Sequence, residues 1–229
     1  LNYSPAELAD ANRQAIALLE EVRGEFETEQ SRMVISGCLG SRGDGYSAAH
    51  KMTATEAEAY HTEQITTLGS TSADMVSALT QTYADEAIGI VRAAASCDMP
   101  SVNSFTVETD GALPSGQPLK DAIEQVDEAT AGAPAYYMIN CAHPVHFQSA
   151  VDTGEPWLER IRGLRANAST KSHAELDESE TLDDGNPAEL GQQYSGLRGL
   201  LKNLNVLGGC CGTDHRHVEA ICKAFVTRS

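Results

Sequence analysis

Two short stretches of this 229-residue chain hold residues that could do chemistry together. One is Asn140-Cys141-Ala142-His143-Pro144, and the other is Gly208-Gly209-Cys210-Cys211-Gly212-Thr213. Each follows a short apolar run, at 136–139 and 205–207, that reads as a strand. Both therefore fall at strand C-terminal ends, where parallel α/β folds put their sites. Neighbouring residues on a strand point to opposite faces, so Cys210 and Cys211 serve one site only if the backbone leaves the extended form there. The flanking glycines allow that turn. Thr213 is then placed to cap the last helix, whose N-terminal dipole favours thiolate over thiol. Three thiolates, Cys141, Cys210 and Cys211, meeting from two strand ends make a zinc site with one open position. That is the catalytic arrangement, suited to deprotonating a substrate thiol at neutral pH. Two alternatives stay open: His143 or His215 replaces one thiolate, being within chelating reach of Cys141 and Cys211, or the adjacent cysteines form a vicinal disulfide. Cys38, Cys97 and Cys222 read as small buried hydrophobes, and His215 with His217 as the exposed first turn of the last helix.

The elements that must position these residues alternate between short apolar runs and longer amphipathic stretches. A first helix is capped by Ser4, with Pro5 and a Glu7 capping box, and shows an apolar face of Leu8, Ala11, Ala15, Leu18 and Val22. A strand at 33–35 runs into Gly37-Cys38-Leu39-Gly40, and a helix over 53–68 opens on Thr53 and Glu56. Further strands are expected near 73–79, 101–107, 136–139, 161–165 and 205–207. Helices are expected near 85–96, 118–129, 145–151 and 188–202, and a final one carries Val218, Ile221, Cys222 and Phe225 on one face. The acidic, turn-rich segment 172–187 reads as a surface loop. Six strands, each followed by a helix and preceded by one extra helix, fit either an open doubly wound sheet or a (β/α)₈ barrel two strands short of closure. Periodicity does not choose between them.

Composition narrows the partners. Sixteen Lys and Arg against 33 Asp and Glu leave a net charge of −17, which repels phosphate backbones and anionic lipid heads, so nucleic acid is not an expected partner. No run approaches the roughly 18 apolar residues of a membrane span, and the first residues lack the basic and apolar regions of a secretory signal. A cytoplasmic protein is expected, and six cysteines in a reducing compartment point to metal binding or catalysis rather than a disulfide scaffold.

The paired-Cys motif with Asp214-His215 behind it, and Asn140-Cys141 about seventy residues earlier, resembles the homocysteine S-methyltransferase family. Further matches are Gly40-Ser41-Arg42-Gly43-Asp44-Gly45-Tyr46, Tyr60-His61-x-x-Gln64, Ser104-Phe105-Thr106-Val107 and Gly163-Leu164-Arg165-Ala166-Asn167-Ala168-Ser169. The resemblance covers essentially residues 1–229 as one barrel domain. It implies an α/β fold of the (β/α)₈ TIM barrel family, incomplete here, with strands three to eight present and the N-terminal first two absent. It also implies zinc on Cys141, Cys210 and Cys211, and homocysteine thiolate attacking the methyl group of a donor to give methionine. The family's fourth strand usually ends in Glu-Thr, where this chain has Gln81-Thr82; Gln81 keeps the hydrogen-bonding shape without the charge. Gln81 and Asn167 are the substrate-binding residues so implied. Tyr46, Phe105 and Tyr83 are candidates for an aromatic, acidic mouth that suits an onium donor. With no room for cobalamin or folate domains, S-methylmethionine or S-adenosylmethionine is the expected donor. The exposed sheet edges invite cover, for which a homo-oligomer is one means. The alternative reading is a degenerate member that binds zinc without catalysis and acts as an interaction or barrel-completing subunit.

Overall fold

A computed structural model describes residues 3–226. Its sheet has six parallel strands in strict chain order: β1 (Ser36–Leu39), β2 (Met75–Gln81), β3 (Ser101–Phe105), β4 (Tyr136–Asn140), β5 (Ile161–Ala166) and β6 (Val206–Gly209). A doubly wound sheet reverses its strand order at a switch point; this one does not. Right-handed crossovers in one unbroken direction put the helices on a single face. The sheet is therefore an open, barrel-type wall, an incomplete TIM barrel with β1 and β6 as its edges.

The helices are α1 (Pro5–Phe26), α2 (Ala54–Gly69), α3 (Ala84–Ser96), α4 (Leu119–Thr130), α5 (Pro144–Val151), α6 (His173–Asp177), α7 (Pro187–Leu197) and α8 (His215–Val226). Ser4 with Glu7 and Thr53 with Glu56 form the expected capping boxes. The layer between helices and sheet is the core. One part gathers Ile16, Ile35, Leu39, Ile65, Val76 and Ile90. A larger part gathers Phe105, Ile123, Tyr137, Phe147, Leu164 and Tyr194. Each such side chain stabilises the fold by about 1.5–3 kcal/mol when fully buried. Tyr194 also stitches two strands: its hydroxyl accepts from the Ala166 N–H and donates to the Gly208 carbonyl, both at 2.8 Å. Among the described residues no helix is long and apolar enough to cross a membrane.

Several expectations are corrected. The first helix buries Ile16, with Leu8 partly covered, while Ala11, Ala15, Leu18 and Val22 face solvent. The first strand begins at Ser36, because the Ile35 N–H goes to the Asp74 carboxylate at 2.7 Å rather than into the sheet ladder. Cys38 and Cys222 are exposed, not core. His217 is fully buried: its Nε2 donates to the Asp184 carbonyl (2.8 Å) and its Nδ1 accepts from the Asp214 N–H (3.1 Å). The segment 172–187 is not featureless, since Ser172 and Glu175 form a third capping box that starts α6.

Candidate metal centre and adjoining cavity

The connections after β4, β5 and β6 are braided by backbone hydrogen bonds. Cys141 N–H donates to the Arg165 carbonyl (3.1 Å), Cys210 N–H to Ala166 (2.8 Å) and Ala168 N–H to Cys211 (3.0 Å). Cys141 has a φ of 54°, in the left-handed region that L-residues avoid. That turn carries its side chain across to the β6 end. The three sulfurs of Cys141, Cys210 and Cys211 lie within 4.8 Å of one another.

Two buried amides fix this geometry. Asn167 donates from Nδ2 to the Cys141 carbonyl (3.0 Å) and accepts at Oδ1 from the Cys211 N–H (3.1 Å), so one side chain ties both cysteine loops together. Asn140 accepts at Oδ1 from the Thr80 N–H (2.9 Å) and the Ser104 hydroxyl (2.6 Å), and donates from Nδ2 to Thr80 Oγ1 (2.8 Å). Thr80 has a φ of 58°, an outlier for a β-branched residue. The grip of Asn140 offsets that strain, and Thr80 Oγ1 in turn lies 3.9 Å from Cys141 Sγ. Backbone outliers of this kind collect at functional sites.

Beside Cys211 opens a cavity of about 700 Å³. Asp44 and Tyr46 from the β1–α2 connection form one wall, and His173, Asp177, Glu180 and Asp183 from the segment after β5 form another, with Glu108 also lining it. Tyr46 Oη lies 3.8 Å from Cys211 Sγ, and its ring packs on His173 with centroids 4.2 Å apart. Burial, with the Cys211 sulfur alongside, holds the Tyr46 phenol well above its ordinary range, so it stays protonated as a donor. His173 donates from Nε2 to the Cys141 carbonyl at 2.6 Å, and its Nδ1 lies 3.3 Å from Glu108 Oε1. Gly212, with φ of 76°, lets the cysteine loop pass against the Asp183 carbonyl, where a Cβ would lie 2.6 Å from that oxygen. Among the described residues the lining has five carboxylates and no Lys or Arg.

Of the residues singled out by sequence, the structure brings together the three cysteines, Asn167 and Tyr46. Both ends of the Asn167 amide are engaged by backbone, which makes it a support for the two cysteine loops. Phe105 is not in the mouth at all; it is fully buried and stacks on Tyr137 in the helix–sheet layer. Tyr83 is likewise away from the cavity, its hydroxyl accepting from the Met52 N–H at 3.0 Å. Gln81 is buried and does not line the cavity; Nε2 lies 3.4 Å from Ser41 Oγ and 3.3 Å from the Leu79 carbonyl, and Oε1 has no partner. His143 caps α5, accepting at Nδ1 from the Val145 N–H; burial, then the neighbouring His146, pushes it down to about 4, so it is neutral at pH 7. His215 is exposed on α8. The last helix is capped not by Thr213 but by Asp214, which accepts from the Arg216 N–H at 2.9 Å, while the Thr213 hydroxyl donates to the Cys210 carbonyl. Thr80, Glu108 and His173 carried no sequence signal, and Asn140 stood out only as the neighbour of Cys141, not for its grip on Thr80 and Ser104.

The three sulfurs form a donor set of the kind that zinc takes. Tetrahedral zinc with Zn–S near 2.3 Å keeps its sulfurs about 3.8 Å apart, which these three reach with small side-chain movements. The Cys141 and Cys210 sulfurs are in close contact, with Cα atoms 5.5 Å apart, and Cys211 is a free thiol. Cys211 is unbridged, which corrects the vicinal alternative of a Cys210–Cys211 disulfide. A disulfide holds no thiolate, so the set fits zinc only when reduced.

A one-sided parallel barrel wall with a cysteine cluster at its strand ends defines an α/β-barrel protein built for thiol chemistry. The family model described as "Homocysteine S-methyltransferase" matches residues 2–225, and the chain belongs to that family, whose reaction is methyl transfer to homocysteine. Among solved structures, the homocysteine methyltransferase MmuM from Escherichia coli is similar in three forms. The oxidized form shares 17% identity at a TM-score of 0.68, over 96% of this chain and 70% of that one. The metallated form gives 16%, 0.65, 95% and 69%, and the apo form 16%, 0.64, 96% and 74%. No curated protein matches the sequence.

Proposed function

We propose that this chain is a zinc-dependent S-methyltransferase that moves a methyl group from an onium donor, S-methylmethionine or S-adenosylmethionine, to homocysteine. The observation that carries the reading is the convergence of Cys141, Cys210 and Cys211 beside an acidic cavity. Zinc held by the three reduced cysteines would supply an open position at which a substrate thiol is deprotonated. The chain's own residues do the rest. Asn167 fixes the spacing of the two cysteine loops, and Asn140 fixes the Thr80 turn against Cys141. The five carboxylates around Tyr46 and His173 favour a cation over an anion in the cavity, which suits a sulfonium donor and disfavours a folate. The Tyr46 hydroxyl lies against the Cys211 sulfur at 3.8 Å.

In this reading the six strands stand for the third to eighth of the family's barrel, the protein works in the cytoplasm, and self-association covers the β1 and β6 edges. Solution mass checks the last point, with a monomer counting against it. One observation favours a second reading, a zinc-binding member without catalysis: Gln81 is buried and uncharged, and lies outside the cavity, so it brings no negative charge to a substrate ammonium. The deciding experiment measures metal and turnover together. The reduced protein is expected to hold about one zinc per chain, lost in Cys210→Ser, and to form methionine from homocysteine and S-methylmethionine. Zinc without methionine leaves the second reading; no zinc defeats both.

A further inference from the structure

Tyr46 reaches the cysteine cluster from a connection, residues 40–53, that has no regular secondary structure and is mostly exposed. Such a segment needs fixed points to present a ring at a defined place. Two of its backbone N–H groups have buried acceptors. Arg42 N–H donates to Glu86 Oε1 at 2.6 Å, and Met52 N–H to Tyr83 Oη at 3.0 Å. Both acceptors sit at the start of α3, Tyr83 at its N-cap and Glu86 in its first turn. Glu86 is wholly buried, and its Oε1 is also paired with Nε2 of His61 at 3.0 Å, a residue of α2 that is itself buried. Its Oε2 has no partner within the protein.

Burying a carboxyl–imidazole pair carries a desolvation penalty that packed apolar side chains would avoid. Stability alone is therefore a weak reason for the pair, whereas fixing the Arg42 N–H is a specific one. Between the anchors the chain turns at Gly43, and Tyr46 N–H closes onto Asp44 Oδ1 at 2.8 Å. Gly45 then passes the Thr80 methyl so closely that a Cβ would lie 2.9 Å from it. Tyr46 is thereby delivered onto His173 and Cys211.

We infer that Glu86, oriented by His61, and Tyr83 are positioning residues that clamp both ends of the 42–52 connection from α3 and so set the fit of the methyl donor against the cysteine cluster. The clamp itself stands on the hydrogen bonds alone; its effect on the donor rests on the function proposed above.

The connection contains two tryptic sites, Arg42 and Lys51, so clamping is measurable without turnover. The full reduced chain is digested with limiting trypsin and the cuts are located by mass. Removing a buried acceptor in Glu86→Ala is expected to speed cleavage at these two sites about tenfold or more relative to the other sites. Glu86→Gln, which retains an acceptor oxygen, is expected to restore the wild-type rate, and Tyr83→Phe to speed cleavage chiefly at Lys51. In kinetics or calorimetry, Glu86→Ala is expected to weaken S-methylmethionine about tenfold while homocysteine changes less than about twofold and zinc content is unchanged. Equal acceleration at every tryptic site with an unchanged Tyr83→Phe, or parallel weakening of both substrates, overturns the inference. If Glu86→Ala does not fold, Tyr83→Phe decides alone, its unchanged Lys51 cleavage being a refutation. A wild-type protein with zinc but no methionine formation defeats the methyltransferase reading, while the cleavage pattern still decides the clamp.

Discussion

The two sides of the cavity are held in different ways. On the cysteine side, the chain leaving β4, β5 and β6 is braided by backbone hydrogen bonds, and the Asn140 and Asn167 amides satisfy backbone groups on β2 and just past β4 and β6. On the opposite side, the 42–52 connection and the segment around α6 are largely exposed, with only a few tie points such as Glu86 and Ser172. A cluster that holds zinc, as proposed, needs the first kind of support. A wall that admits and releases a ligand needs the second, since low local stability is what permits movement. The difference is one of mechanical coupling: damage on the cysteine side should spread into the fold or the metal site, and damage on the other should stay local.

The largest effect is expected from Asn140→Ala. It removes three hydrogen bonds in a buried setting, orphans the Thr80 N–H and releases the strained Thr80 turn. Loss of about 3 kcal/mol in urea unfolding is expected. A loss below about 1 kcal/mol would mean that Thr80 is held by something else and that the buried amides are not what separates the two sides. Next comes Asn167→Ala. The fold should survive, because the Cys210–Ala166 and Ala168–Cys211 backbone bonds remain. Zinc affinity, read by chelator competition, should fall about 10- to 100-fold, the usual effect of losing a support behind metal ligands. Unchanged affinity would place the rigidity of the cluster in the backbone alone.

This asymmetry also explains what was legible in the sequence. The cysteine side announced itself because its chemistry is local in the chain: Asn140 precedes Cys141, Cys210 adjoins Cys211, and glycines mark the turn. The helix starts were equally legible, since Ser4 with Glu7 and Thr53 with Glu56 carry their caps within four residues. The other wall was not, because its contacts join Arg42 to Glu86, Tyr46 to His173 and His173 to Glu108, pairs far apart in sequence that no period relates. Phe105 was misplaced for a related reason. Strand alternation gives two faces but does not say which is outer, and Phe105 falls with Tyr137 and Ile139 on the helix side. The faces of α1 and α8 failed similarly, as Ile16 and His217 took positions that hydrophobicity alone gave to Leu18 and Val218.

Two smaller tests bear on the open side. Tyr46→Phe keeps the ring against His173 but removes the hydroxyl near Cys211, a weak sulfur contact. Zinc content should not change, and methionine formation should drop by about two- to fivefold, in line with the loss of one modest hydrogen bond. A fall in zinc content would show that this wall supports the metal as well, and the division between the two sides would fail.

The smallest effect is expected from Ser172→Ala. The Ser172 hydroxyl accepts from the Glu175 N–H, and the Glu175 carboxylate accepts from the Ser172 N–H, closing a capping box on a five-residue helix that carries His173. The substitution removes one half of that box. In a long, packed helix the cost would be shared by the whole fold, but α6 buries none of its residues, and its tie to the sheet among the described residues is the single hydrogen bond from His173 to the Cys141 carbonyl, so its unfolding is largely local. Hydrogen exchange at the amides of Ser172 to Asp177 should speed up about fivefold, with the urea midpoint and zinc affinity unchanged. If instead the midpoint falls, the segment around α6 is coupled to the core through Ser169 and Asp183, whose side chains meet at 2.8 Å. The two walls would then differ in exposure but not in mechanics.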